Sequence, residues 1–267
     1  MPDLGALRAE FDRLGSAVLG YSGGVDSALL AVVGAESLGP DRFLAVMGLS
    51  PSYPEVQRLA ARELAGRFRI PFHEVETREL EDPRYAANPT NRCYFCKTEL
   101  WNRLRAVAAE RGFQAVIDGT NAEDLREHRP GLRAAAEHGI GSPLADLGWS
   151  KADVRAAARQ LGIPVWDAPA APCLASRIQY GLGVTESRLR QVESGEAFLR
   201  SLGVAGSLRV RHLGDLARLE VEPSEFDLLD QRWEEVERFF GELGFGTVER
   251  DARGYRRGSL LSLAPGP

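Results

Sequence analysis

Cysteine is scarce in this 267-residue chain, which has three. Three thiols do not make the disulfide scaffold of a small secreted domain, and in a reducing compartment each stays open to chemistry or to a metal. Histidine is nearly as rare, with four residues, and no two of them show metal-pair spacing. His128, ahead of Arg129-Pro130-Gly131, is the most suggestive of the four, although a lone histidine is more often structural. No apolar run approaches the roughly 20 residues of a membrane span. The first residues, Met1-Pro2-Asp3-Leu4-Gly5, lack the basic and apolar regions of a secretory leader. A soluble, cytoplasmic protein with no membrane partner is the expectation. Basic residues do not outnumber acidic ones: 33 Lys and Arg stand against 38 Asp and Glu, a net charge of −5. That balance offers a polyanion no global attraction and disfavours nucleic acid as the main partner. Repeats and low-complexity tracts are also missing. What remains is globular in composition, 44% hydrophobic and 27% charged, enough for a real core in one large domain or two smaller ones.

Apolar spacing predicts helices over Leu7–Leu19, Asp26–Ser37, Tyr53–Phe68, Phe95–Arg111 and Lys151–Leu161. Between them, apolar strands are expected at 17–21, Arg42–Leu49, Phe72–Glu76 and Ala115–Asp118. Short apolar strands alternating with amphipathic helices imply an α/β fold, a parallel sheet with helices on both faces. Pro164, Pro169 and Pro172 make 164–173 too proline-dense for regular structure, and an ordered loop is expected there. After Gly183 the pattern changes. A helix over Thr185–Leu202, a hairpin of 208–212 and 217–221, a helix over Glu225–Leu243 and short strands at Thr247–Glu249 and Gly254–Leu260 suggest a small C-terminal α+β domain. The expected division is 1–180 and 181–267.

The stretch Ser22-Gly23-Gly24-Val25-Asp26-Ser27 follows the first strand and opens a helix. Glycines let the backbone approach an anion, and the helix start aims N–H groups and its positive dipole end at the same spot. Ser22 and Ser27 add hydroxyls, while Asp26 needs a positive partner, for which Mg2+ bridging to phosphate is the natural candidate. No Gly-Lys-Ser/Thr follows, so this is not a Walker loop. The SGGxDS form resembles the PP-loop of ATP pyrophosphatases, which adenylate a substrate and release pyrophosphate. A plain Gly-Gly turn is the bland alternative. Asp118-Gly119-Thr120-Asn121 ends another strand and should face the same crevice.

Cys93-Tyr94-Phe95-Cys96 is a C-x-x-C pair, and Cys173 stands alone in the proline-rich loop. Zinc normally asks for four ligands, and no second pair exists. A redox dithiol is open, as are three unrelated buried cysteines. Three thiolates without a fourth ligand suit a four-iron four-sulfur cluster (4Fe-4S) with one open iron. Pro172-Cys173-Leu174-Ala175-Ser176-Arg177 places that thiol beside a hydroxyl and a guanidinium able to lower its pKa or hold a phosphate. Arg209 and Arg211 share one strand face, where they either grip phosphate or lie solvated. Glu196 is a weaker metal or substrate candidate. Tyr94, Phe95 and Trp101 suit core or cluster cover, and Phe239 and Phe240 suit packing or a subunit interface.

The blocks NRCYFCKTEL (91–100), DGTNAED (118–124), HRPG (128–131), SPLADLGWSKADVR (142–155), PAAPCLASRI (169–178) and RVRHLGDLARLEV (209–221) resemble the LarE family. With the PP-loop they span nearly the whole chain in order. The resemblance implies a PP-loop fold and an ATP- and Mg2+-dependent sulfurtransferase. Such an enzyme adenylates carboxylates of pyridinium-3,5-biscarboxylic acid mononucleotide and converts them to thiocarboxylates during synthesis of the nickel-pincer cofactor of lactate racemase. It implies Ser22, Gly23, Gly24, Asp26 and Ser27 for pyrophosphate and Mg2+, with Gly119, Thr120 and Asn121 near the nucleotide. Ser176, Arg177, Arg209 and Arg211 are implied for the substrate phosphate, and Cys173, Asp26 and Arg177 for catalysis. Some members consume the cysteine of the PCLASR block. Others, with all three cysteines, bind a 4Fe-4S cluster, and this chain resembles the latter, with Cys93, Cys96 and Cys173 as ligands. A homo-oligomer, hexameric by resemblance, is also implied, while the sulfide donor stays unnamed. Two other readings are a transfer RNA thiolation enzyme, which the acidic balance disfavours, and a nucleotide-binding regulator with buried cysteines.

Overall fold

In the strand β1 (Ala17–Gly20), Ala17 and Leu19 enter one apolar cluster and Val18 enters another, and all three are fully buried. Phe43, Ala45 and Met47 of β2 (Phe43–Leu49) join the first cluster, while Leu44 and Val46 join the second. Strands covered on both faces belong inside a parallel sheet. The computed structural model, which describes residues 2–126, 130–169, 171–256 and 258–260, forms that sheet with β3 (Phe72–Glu76) and β4 (Ala115–Ile117). All pairings are parallel, in the order β3-β2-β1-β4.

One face is covered by α1 (Leu4–Leu14), α2 (Val25–Leu38), α3 (Glu55–Arg67) and, from further along the chain, the helix Lys151–Gln160. α2 is apolar nearly all round, and its Leu29, Leu30 and Val33 are wholly buried, each worth about 2 kcal/mol of transfer free energy. The chain then passes through α4 (Pro83–Ala86), α5 (Arg92–Arg111), α6 (Pro130–Glu137), α7 (Pro143–Asp146) and α8, the Lys151–Gln160 helix. Trp101, Leu104 and Val107 of α5 and Ala134 and Ala135 of α6 fill the opposite face.

Two compact units result. The first runs through Glu79 and resumes over Asn91–Ala171; the second takes Leu80–Thr90 and the chain from Pro172 onward. In the second, α9 (Glu186–Ser201), the antiparallel pair β5 (Leu208–Leu213) and β6 (Leu216–Val221), α10 (Phe226–Gln231), α11 (Trp233–Glu242) and β7 (Thr247–Arg250) enclose their own core. β7 pairs in parallel with β6. Phe240 is fully buried there and Phe239 stacks on Phe198 with ring centroids 3.9 Å apart, so both aromatics serve packing within this unit.

The structure departs from the sequence expectation at identifiable points. The boundary falls at 171/172 rather than 180/181, and 80–90 joins the second unit because Asn88 Nδ2 donates to the carbonyl oxygens of Gln179 (2.8 Å) and Leu182 (2.9 Å). The first helix stops at Leu14, where Gly15 turns with φ 72°, and Val18 is a strand residue. α5 starts at Arg92, three positions before Phe95, so both cysteines of the C-x-x-C pair lie in its opening turns. The helix expected over Glu225–Leu243 breaks at Arg232. The described residues of 254–260 form no strand. His128 lies outside the described residues.

Candidate active site

From β1 the chain steps outward to β2 and β3, then returns to the other side of β1 for β4. At such a reversal the loops leaving the carboxyl ends of the strands part and open a crevice. The loop Tyr21–Gly24 leaves β1 there and Asp118–Asn121 leaves β4. Gly23 has φ 67°, and a Cβ built on it would sit 2.6 Å from the Cβ of Ala61 on α3. Only glycine fits this turn. Gly24 caps α2 with extended backbone and no side chain, which leaves the first N–H groups of the helix for an anion. The loop is braced from beneath: Ser27 Oγ donates to the Gly24 carbonyl (3.0 Å) and accepts from the Ser22 N–H (3.2 Å), and Tyr53 Oη donates to the Ser22 carbonyl (2.6 Å). Burial pushes the Tyr53 hydroxyl up to about 12, so it remains a donor.

Asp26, in the first turn of α2, already has partners. Asn121 Nδ2 donates to its Oδ1 at 3.1 Å, and the Lys151 ammonium pairs with its Oδ2. Lys151 was not among the residues singled out by sequence. It opens α8, where a cation opposes the helix dipole, and the distant carboxylate of Asp26 offsets that mismatch. Gly119 lets the two loops touch, since a Cβ there would lie 3.0 Å from the Ser27 nitrogen and 3.2 Å from Asp26 Cβ. Asp118 takes hydrogen bonds from Thr120 Oγ1 and Ser142 Oγ, both at 2.8 Å, which fixes the β4 loop.

A cavity of about 460 Å³ opens between these loops and α5. Its walls include Ser22, Asp26, Ser27, Gly119 and Thr120 on one side and Cys93, Lys97 and Trp101 on the other. Cys93 is exposed and Cys96, one helical turn on, is half-buried. Lys97 is the cation among the described lining residues; its Nζ lies 4.8 Å from the ring of Trp101, which is 1% exposed. Lys97 lies inside the helix expected from Phe95 onward, but no local pattern shows which face of that helix meets the cavity, so sequence reasoning gave it no role. For Mg2+, Asp26, Asp118 and Asp124 bring hard carboxylate oxygens to the cavity wall, but the three do not converge as one site among the described residues, and Asp26 is already held by Asn121 and Lys151. For a cluster, Cys93 and Cys96 fit as two thiolate ligands spaced i, i+3 at a helix N-terminus, which favours anionic sulfur. Cys173 belongs to the second unit, and no group of three His, Cys, Asp or Glu side chains stands together as a metal site among the described residues.

The second unit gathers the other expected residues around Cys173, which precedes a 3-10 turn over Leu174–Arg177. Arg177 Nε and Nη2 donate to Glu196 Oε1 (3.0 Å) and Oε2 (3.2 Å), and Nη1 donates to the carbonyls of Pro172 and Cys173, the latter at 2.9 Å. Both oxygens of Glu196 therefore face a guanidinium. Arg211 is buried and paired with Glu220 at 2.8 Å, and its Nη1 donates to the Ser176 carbonyl at 3.2 Å. Arg209 differs. It makes no ion pair among the described residues, lies 5.3 Å from the Tyr255 ring centroid, and has its pKa lowered by burial and by nearby Arg177.

Comparison with known proteins follows the same lines. A family model described as NAD synthase matches residues 8–120. The uncharacterised protein slr1717 of Synechocystis sp. is 43% identical over 256 residues, covering 95% of this chain and 95% of that protein. Pyridinium-3,5-bisthiocarboxylic acid mononucleotide synthase of Lactiplantibacillus plantarum is 33% identical over 257 residues, covering 95% of this chain and 92% of its own. The uncharacterised protein MJ0830 of Methanocaldococcus jannaschii is 31% identical over 231 residues, covering 86% of this chain and 87% of its own.

A parallel sheet, a glycine loop at its switch point and an NAD synthase model over the first strands define an ATP-using enzyme of the PP-loop class. Identity of 33% over almost the full length narrows this further. The chain belongs to the LarE family and is a sulfurtransferase that uses ATP.

Proposed function

We propose that the enzyme adenylates a carboxylate of pyridinium-3,5-biscarboxylic acid mononucleotide with ATP and Mg2+, and then exchanges a carboxylate oxygen for sulfur. The observation that carries this reading is that Cys93 and the phosphate loop, through Ser22, Asp26 and Ser27, line one cavity. A carboxylate oxygen is a poor leaving group, so it first attacks the α-phosphorus of ATP; the bond to pyrophosphate breaks and a mixed anhydride with AMP forms. A sulfur nucleophile then attacks the acyl carbon, and the bond to AMP breaks.

Ser22, Gly23, Gly24 and Ser27 hold the departing pyrophosphate, Asp26 holds Mg2+, and Gly119, Thr120 and Asn121 stand beside the nucleotide. Lys97 offers the cavity a charge for the substrate carboxylate, and Arg209, whose guanidinium no carboxylate claims among the described residues, takes the substrate phosphate. Cys93, Cys96 and Cys173 would hold the 4Fe-4S cluster, which when bound supplies transferable sulfur and spares the cysteines. A second reading has Cys173 surrendering its own sulfur; in its favour, no three His, Cys, Asp or Glu side chains stand together as a metal site among the described residues.

The test is anaerobic purification followed by incubation with ATP and Mg2+. Pyrophosphate released only when the pyridinium dicarboxylate nucleotide is present supports the proposal; release without it, or none with it, overturns it. A brown protein absorbing broadly near about 400 nm, with iron lost on replacing Cys93, Cys96 or Cys173 by Ala, supports the cluster. Iron-free protein in which turnover converts Cys173 to dehydroalanine supports the second reading.

A further inference from the structure

We propose that Arg177 and Glu196 are positioning residues for Cys173, and that Arg177 does not bind the substrate phosphate. The inference rests on the reading of Cys173 as a thiol that handles sulfur, and it reassigns a guanidinium that its place in the PCLASR block marks for phosphate.

All three guanidinium nitrogens of Arg177 are engaged. Nε and Nη2 form a fork on Glu196, at 3.0 and 3.2 Å, and Nη1 reaches the carbonyls of Pro172 and Cys173 and the Ser176 hydroxyl, the last at 3.2 Å. The residue is 2% exposed. A phosphate would have to break the fork and leave the Glu196 carboxylate, itself largely buried, without its cation, which is the costly way to open a buried pair. The fork is anchored from behind, because Glu196 Oε1 also accepts the Val210 N–H of β5 at 3.2 Å. The turn carrying the thiol is tied down at a second point, where Ser176 Oγ donates to the Cys173 carbonyl at 2.7 Å and Arg211 Nη1 holds the Ser176 carbonyl. Arg177 thus grips the peptide carbonyls before and after the Cys173 Cα and, through Glu196, fixes them to α9 and β5. Its neighbour Arg209 lacks any such commitment among the described residues, which leaves it the phosphate.

Lysine cannot reproduce a bidentate fork. Arg177→Lys and Glu196→Gln therefore loosen the turn without emptying the site. The full-length, iron-free protein is treated with iodoacetamide and each cysteine is followed by peptide mass spectrometry, Cys93 in the other unit serving as internal reference. The expected result is a several-fold rise in Cys173 alkylation relative to Cys93 in native buffer, with the Cys93 rate unchanged and both variants still folded by circular dichroism, although breaking the buried pair lowers their urea midpoints. Substrate-dependent exchange of pyrophosphate into ATP should keep the wild-type KM for the pyridinium nucleotide while the kcat for sulfur transfer falls. An unchanged alkylation ratio in the variants overturns the proposal. A phosphate ligand would instead raise that KM about tenfold or more with Cys173 alkylation as in wild type. Should Arg177→Lys fail to fold, Glu196→Gln, which keeps shape and volume, decides by the same ratio. If wild-type protein shows no exchange at all, the proposed function fails, but the alkylation ratio still reports on positioning.

Discussion

Replacing Gly23 with alanine adds one methyl group where the phosphate loop turns against α3. At φ 67° an L-residue is strained by about 1–2 kcal/mol. The new Cβ would also lie 2.6 Å from Ala61 Cβ and 3.2 Å from Ala61 Cα. Those atoms belong to a helix backbone and its first carbon, so no side-chain rotation relieves the overlap, and forced displacement costs about 1–3 kcal/mol. Together the loss is about 2–5 kcal/mol. The adjacent Gly24→Ala is the control: with φ −69° and ψ 158° its backbone suits any residue, and the nearest atom to a new Cβ is Ser22 Oγ at 3.5 Å. Its stability should stay within about 0.5 kcal/mol. Urea unfolding and calorimetric titration with ATP and Mg2+ separate the two effects. Gly23→Ala should lose both stability and ATP binding; Gly24→Ala should keep its urea midpoint and bind ATP more weakly, because it adds a methyl group at the residue that caps the open start of α2. Equal destabilisation by both variants, or a neutral Gly23→Ala, would refute the loop geometry.

Asp26→Asn should lower pyrophosphate release at least about a hundredfold while leaving iron content intact, checked by exchange assay and metal analysis; loss of iron as well would show that the two sites are not separable. Lys151→Met breaks a partly exposed pair, so stability should change by less than about 1 kcal/mol while ATP affinity falls, a split read by urea titration and calorimetry. Arg209→Ala should raise the KM for the pyridinium nucleotide about tenfold and leave that for ATP unmoved. His212, buried with Nε2 3.0 Å from Gln191 Oε1, has its pKa pushed down to about 4 by burial and by Arg188. The unfolded chain then binds the extra proton between about pH 6.5 and 4, so stability is complete above that window and declines by about 1.4 kcal/mol per unit as pH falls through it. Urea midpoints should show this decline, and His212→Gln should flatten it.

The sheet was legible because buried parallel strands read as unbroken apolar runs, as Phe43–Leu49 does, and the strand–loop–helix geometry of the glycine loop because strand, glycines, hydroxyls and helix start follow one another in order. Lys151 was not, since its partner Asp26 lies 125 positions away and no local pattern announces the pair. Lys97 was hidden because the face of α5 that meets the cavity is set by the packing of Trp101 and Leu104 against the sheet, while the start of α5 was misplaced because Asn91 makes no side-chain cap. The fork of Arg177 on Glu196 spans 19 positions, and a carboxylate on a helix looks alike in sequence whether it faces water or a buried guanidinium. The unit boundary was displaced by Asn88, a single polar side chain that stitches 80–90 to the later chain.

The most direct measurement is the mass of the pyridinium nucleotide after anaerobic incubation of the iron-loaded enzyme with ATP and Mg2+. Sulfur in place of a carboxylate oxygen, formed together with AMP and pyrophosphate, is the predicted product. A carboxylate recovered unchanged, or one carrying nitrogen instead of sulfur, would contradict the account.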